Sequence, residues 1–195
     1  PLSEDPGVDP EAGGGNTWFE RGVPAAGFSL RLVGADDDAV EVTQPTGSSR
    51  DGALQMTAIN HEVQEGARLF AWSGPAAVRV VSPEPLDLTR ETNGDVPVVL
   101  QLRVDALPDG GKAWLGAGCG AGCGSEVEIG DALAGLPHGE WTRLAVPLKC
   151  LRLYGADTGR LDVPFQLRSE AGAKIALARA AASTEYDYLV ICPTS

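Results

Sequence analysis

Residues 98–104 read Val-Val-Leu-Gln-Leu-Arg-Val (VVLQLRV), the strongest strand signal in the chain. Apolar and β-branched residues dominate it, as a pleated and buried surface requires. The turn Pro108-Asp109-Gly110-Gly111 follows, and Ala113–Leu115 resumes the extended pattern. Working upstream, Arg68–Trp72 and Ala77–Val81 read as a strand pair around Ser73-Gly74-Pro75. Leu54, Met56 and Ala58 alternate with Gln55 and Thr57. Phe28, Leu30 and Leu32 alternate with Ser29 and Arg31, then turn at Asp36-Asp37-Asp38 into Val40 and Val42. Downstream come Val127–Ile129, Trp141–Leu148, Pro164–Leu167, Ile175–Ala178 and Tyr188–Ile191. A single helical turn is predicted over Asp131–Leu136, capped by Asp131. The alanines of 176–182 suit a helix, but Lys174-Ile175-Ala176-Leu177 also fits a late strand, and the strand is preferred. Strands recurring every 8–15 residues without amphipathic helices between them predict an antiparallel β-sandwich.

Composition narrows the function. The chain has 195 residues, which favours one domain. A net charge of −12 argues against nucleic acid and against an anionic membrane surface. No apolar run approaches the roughly 18 residues of a membrane span. Hydrophobic content of 43% excludes wholesale disorder. Residues 1–16, PLSEDPGVDPEAGGGN, read as a linker, with the globular part over 17–195. The start at Pro1 reads as that of an excised or processed piece.

Four cysteines suit an oxidising compartment. Spacing favours Cys119 with Cys123, across a loop of small residues, and Cys150 with Cys192. The alternative is zinc held by Cys119, Cys123, His138 and Cys150, at spacings that fit no common zinc pattern well.

Other constellations are weaker. Gly116–Ala121 matches G-x-G-x-x-A after a strand, but the helix a dinucleotide site needs is not predicted. His61 and His138 sit in polar segments without a neighbouring nucleophile. Asp36, Asp38 and Asp87 are candidate oxygen ligands for a structural calcium, set against an ordinary polar turn. Otherwise no cofactor is expected. Among the tryptophans, Trp141 reads as core, and Trp114 ends a strand beside the glycine loop. Trp18 and Trp72 lie near predicted loops, and are the better candidates to stack on a sugar, set against core packing.

Several ordered motifs carry a resemblance. They are Trp114–Cys123 (WLGAGCGAGC), residues 126–150 (EVEIGDALAGLPHGEWTRLAVPLKC), Asp162-Val163-Pro164-Phe165 and Val190-Ile191-Cys192-Pro193. Trp18–Gly22 and Leu86-Asp87-Leu88-Thr89 belong to the same set. Over residues 17–192 the chain resembles the C-terminal domain of ExoP-type glucan exo-hydrolases, bacterial members of glycoside hydrolase family 3. The resemblance implies a galactose-binding-like β-sandwich of jelly-roll type. It implies catalytic domains upstream in the same polypeptide as partners, and therefore no catalytic residue here. It implies secretion, to the periplasm of a Gram-negative bacterium. The expected function is a non-catalytic accessory domain that stabilises the catalytic body and contributes to its substrate entrance, with Asn16-Thr17-Trp18 as the candidate rim. An autonomous module for β-glucan oligosaccharides, contacting them through Asn16, Trp18 and Trp72, is the alternative. A purely structural or dimer-forming domain is the third reading.

Overall fold

From Leu100 to Val104 apolar residues alternate with polar ones, and a pleated strand sends them, with Val98, to one side. Val98, Leu100, Leu102 and Val104 are all at most 1% exposed, whereas Gln101 and Arg103 face outward and stay half-buried. A computed structural model describes residues 16–61 and 64–192, without the side chains of Gln64 and Glu65. The connector expected over 1–16 lies outside these residues except for Asn16.

The strands are β1 (Thr17–Glu20), β2 (Val23–Pro24), β3 (Ser29–Val33), β4 (Ala39–Glu41), β5 (Gly47–Ser48), β6 (Leu54–His61), β7 (Gln64–Trp72) and β8 (Ala76–Val81). After the short helix α1 (Thr89–Asn93) come β9 (Pro97–Ala106), β10 (Ala113–Gly118) and β11 (Gly124–Glu128). Helix α2 (Gly130–Gly135), β12 (Trp141–Pro147), helix α3 (Leu148–Leu153), β13 (Val163–Ser169), β14 (Lys174–Ala182) and β15 (Tyr188–Leu189) complete the order.

Two sheets face each other. The larger runs β15-β12-β9-β14-β7-β6-β5, with β1 on β14 and β2 on β1. The smaller runs β11-β10-β13-β8-β3-β4. Every strand pairing is antiparallel except β12 with β15. The predicted antiparallel sandwich is therefore what the chain forms. Its core joins Leu100, Leu102 and Ile175 of one sheet to Leu32, Val78, Leu115 and Phe165 of the other, all fully buried.

Strand β14 shifts register between Leu177 and Arg179 against β9. The extra residue, Ala178, sits where the other edge of β14 passes from β7 to β1. Its carbonyl accepts the Gly22 N–H at 3.3 Å. Gly22 has φ +78°, and a Cβ there would stand 3.0 Å from the Ala67 backbone. Glycine thus lets the β1–β2 turn close against β7.

Three local expectations are corrected. β7 and β8 do not pair, because the chain leaves one sheet for the other at Ser73-Gly74-Pro75. Helix α2 starts at Gly130 after Ile129, and no side chain caps it. Residues 148–153 form α3 instead of ending a strand, and residues 89–93 form α1. Both helices are too short for apolar periodicity to announce them.

Cysteines pair as the spacing predicts, Cys119 with Cys123 (Cα–Cα 5.0 Å) and Cys150 with Cys192 (5.5 Å), which removes the zinc alternative. Asp51 ties two loops together. Its carboxylate accepts the Ala53 and Ala35 amides at 3.0 Å each and the Ser49 hydroxyl at 2.8 Å.

These ties can be tested by cutting them. The Cys150→Ala/Cys192→Ala pair, which opens a 42-residue separation, lowers unfolding stability by about 4 kcal/mol on the loop-closure scale. Cys119→Ala/Cys123→Ala, across a separation of 4, costs clearly less in the same denaturant titration. The Ala53, Ala35 and Ser49 hydrogen bonds hold the Asp51 carboxyl below the ordinary aspartate value of 3.8. Its contribution is therefore complete above that value and is lost as pH falls through the lower, folded one. Asp51→Asn lowers the denaturation midpoint at pH 7 and shrinks the difference between pH 7 and pH 3. An unchanged pH difference would count against the Asp51 tie.

Candidate functional site

Residues directly opposite in a sheet share a face. On the smaller sheet this rule assembles two outward rows. Glu126, Gly116, Gln166 and Arg79 stand side by side, and next to them lie Glu128, Trp114 and Arg168. Gly116 and Gly118 put no side chain into the middle, so a trough of about 540 Å³ opens there. Its rim is the Cys119–Cys123 loop on one side and Asp37 and Asp162 on others. A Cβ on Gly116 would come within 3.0 Å of the Glu126 Cγ, so the floor is already closely packed.

The polar groups of the trough hold one another in place. The Arg168 guanidinium donates to both oxygens of Glu126, at 2.8 and 2.9 Å, and lies 3.8 Å over the Trp114 ring. Arg79 Nε donates to Gln166 Oε1 at 2.7 Å, and Arg79 Nη2 reaches Asp37 at 3.3 Å. The Gly120 amide donates to Asp162 Oδ1 at 3.1 Å. Two guanidinium groups thus meet two carboxylates, Glu126 and Asp37, while the third, Asp162, is held by a backbone amide. Such a surface offers many donors and acceptors, most of its charges already paired, which suits a neutral polyhydroxylated ligand better than an anion.

A second aromatic site lies on the outer face of the larger sheet. Trp141 meets the edge of His61 at 4.6 Å and the Arg103 guanidinium at 5.5 Å. In strand order β9, β14 and β7 separate β12 from β6, so the β6 end leans back across the sheet to make this contact. Arg103 is itself fixed by Asp105 at 2.7 and 2.8 Å, hydrogen bonds that push its pKa up. Nearby, Asp187 is held below the usual carboxylate range by its hydrogen bonds from Arg143.

Trp18 and Trp72, the candidates for sugar stacking set against core packing, are both buried. Trp18 is 0% exposed within β1, and Trp72 is 4% exposed, with Nε1 donating to the Ala76 carbonyl at 2.8 Å. Neither offers an open ring face, so the core reading of both holds and the stacking reading does not. Trp114 and Trp141 are half-buried on outward faces, so the core assignment of Trp141 is corrected too. Phase was the missed signal. Trp141 alternates with Arg143, and Trp114 with Gly116 and Gly118, and such companions mark a solvent-facing side. Asn16 is half-buried at the start of β1.

The acidic candidates for calcium are not brought together. Asp38 pairs with Arg50 at 2.9 Å, and Asp36 is exposed in its turn. Asp87 accepts the Thr89 amide at 3.0 Å, and hydrogen bonds from the Thr89 hydroxyl and amide hold its pKa down. Among the described residues no three His, Cys, Asp or Glu side chains gather as a metal site. The G-x-G-x-x-A segment runs into the Cys119–Cys123 loop and strand β11, with no helix to meet a pyrophosphate. His61 touches Gln101 at 3.4 Å and Trp141, and His138 is exposed. Neither meets a serine or cysteine among the described residues. No described helix is long and apolar enough to cross a membrane.

Residues 28–181 match the galactose-binding domain-like family Exop_C. No curated protein matches the chain. Solved structures resemble it as well, among them two from one organism. One is the extra C-terminal domain (X) of exo-1,3/1,4-beta-glucanase (ExoP) from a Pseudoalteromonas species, at 20% identity and a TM-score of 0.71, covering 92% of this chain and 99% of that one. The other is exo-1,3/1,4-beta-glucanase (EXOP) from the same organism, at 22% identity and a TM-score of 0.72, covering 90% of this chain and 21% of that one. The chain therefore spans about a fifth of that glucanase.

The exchange of roles among the tryptophans has a direct test. Trp18→Ala removes a fully buried ring and costs about 3–5 kcal/mol in denaturant unfolding. Trp114→Ala costs about 1 kcal/mol, mainly the lost stacking of Arg168. Equal losses would contradict the assignment.

Proposed function

The chain belongs to the galactose-binding-like Exop_C family, and on that premise we propose that it is the non-catalytic accessory domain of a secreted β-glucan exo-hydrolase of glycoside hydrolase family 3. Its partners are then the catalytic domains of the same polypeptide, which it stabilises and whose substrate entrance it helps to shape. The observation that carries this reading is the family match, together with the likeness to a domain that forms about a fifth of a glucanase chain. Two disulfides favour an oxidising compartment, and the proposed setting is the periplasm.

The trough supports a part in handling the glucan. Arg79, Gln166, Glu126 and Asp162 present donors and acceptors there, and Trp114 stands in the neighbouring outward row beside Arg168. Sugar hydroxyls both donate and accept, so they can enter such a network without leaving a charge unpaired. Any glucan contact is therefore assigned to this trough, not to Trp18 or Trp72.

The isolated chain is expected to release no product from an aryl β-glucoside, and measurable turnover abolished by one carboxylate substitution would sink the non-catalytic reading. In isothermal titration with cello- and laminari-oligosaccharides, saturable binding is expected, weakened about tenfold or more by Arg79→Ala. Binding that survives both Arg79→Ala and Gln166→Ala would remove the trough as its site.

A further inference from the structure

Arg68 is the one arginine of β7, and it follows the inward phase of Phe70 and Trp72. It is 8% exposed, yet it sits in a core-facing position. Among the described residues its one hydrogen bond runs from Nη1 to the carbonyl of its neighbour Ala67, at 3.0 Å. The chain carries 27 Asp and Glu, and none pairs with Arg68 among the described residues. Arg79 and Arg168 of the smaller sheet, by contrast, each meet a carboxylate. A buried cation without a counter-charge is costly to hold, and a fork of five N–H donors is left mostly unspent.

The unspent donors face a cavity. Arg68 lines a pocket of about 450 Å³ at one end of the sandwich, walled by Pro24, Phe28, Val42 and Met56. These walls come from both sheets and are mainly apolar. Glu41 stands at the rim, exposed and forming no ion pair with Arg68.

We infer that this pocket binds a small monocarboxylate through Arg68, with its body against the apolar wall. A carboxylate answers the guanidinium in both charge and planar geometry, whereas a hydroxyl supplies only an acceptor. Glu41 repels a second negative charge at the mouth, which selects against dicarboxylates and phosphate esters. The pocket is large enough for a ring-sized body. It lies apart from the trough, and nothing in the inference depends on glucan binding there.

The test uses the whole chain at constant ionic strength, titrated with benzoate, with glucuronate, and with benzamide as a neutral mimic of benzoate. Thermal midpoint and ligand-observed NMR are the readouts. At least one carboxylate raises the midpoint saturably by a few degrees. Benzamide binds at least tenfold more weakly than benzoate when benzoate is the responding acid. Arg68→Met abolishes saturation, and Arg50→Met, an exposed change of the same charge, leaves it intact. Arg68→Lys, which keeps the charge and loses the fork, weakens binding and reports even if the methionine variant fails to fold. Response to benzoate alone identifies an apolar acid, and response to glucuronate alone a sugar acid. Either upholds the site. Saturation by neither acid, equal binding of benzamide and benzoate, or wild-type affinity in Arg68→Met overturns it.

Discussion

Everything in this fold depends on burying β9 between β12 and β14. One side of β9 sets Leu100 against Leu144 and Val98 against Val146, and its other edge sets Leu102 against Leu177. Each of these residues is at most 1% exposed. At roughly 1.5–3 kcal/mol for each such side chain, this ladder is a large part of what offsets chain entropy. The bulge at Ala178 then lets one strand serve two neighbours in turn, which brings β1, β2 and the wall of the Arg68 pocket into place.

Much of this was legible in the residues, and the reasons differ by element. VVLQLRV announced β9 because its inward positions are all apolar. The β3–β4 hairpin was visible because Asp36-Asp37-Asp38 breaks two alternating runs, and the pairing of Leu32 with Val40 follows. The alanines of β14 favour helix locally, yet Ile175 and Leu177 facing β9 override that propensity. The cysteine pairs followed from spacing. What was not legible was which sheet each strand joins. β7 and β8 are adjacent in sequence and lie in different sheets, a choice made by long-range packing. Trp18 was illegible for a related reason. Trp18 and Phe19 are consecutive and both fully buried, so alternation does not assign them a side.

The two surfaces of interest differ in electrostatic logic. Beside the trough Arg168 holds Glu126 and stacks on Trp114, and within it Arg79 is spanned by Gln166 and Asp37. Such a network is preorganised, and a ligand meets side chains that are already oriented. Arg68 is the opposite case, a charge enclosed by apolar walls with its complement missing. Charge pairing, visible only once the strands are in register, separates a neutral site from an anionic one.

The Cys150–Cys192 bond has a consequence beyond the folding equilibrium. β15 pairs with β12 through only two residues and occupies the edge of the larger sheet. Cys192, three residues beyond it, anchors that short strand to α3. Were the anchor cut, β12 would present an unguarded row of amides and carbonyls to any other extended chain. The disulfide therefore holds the cover of the β12 edge in place, and reduction of that one bond would release it.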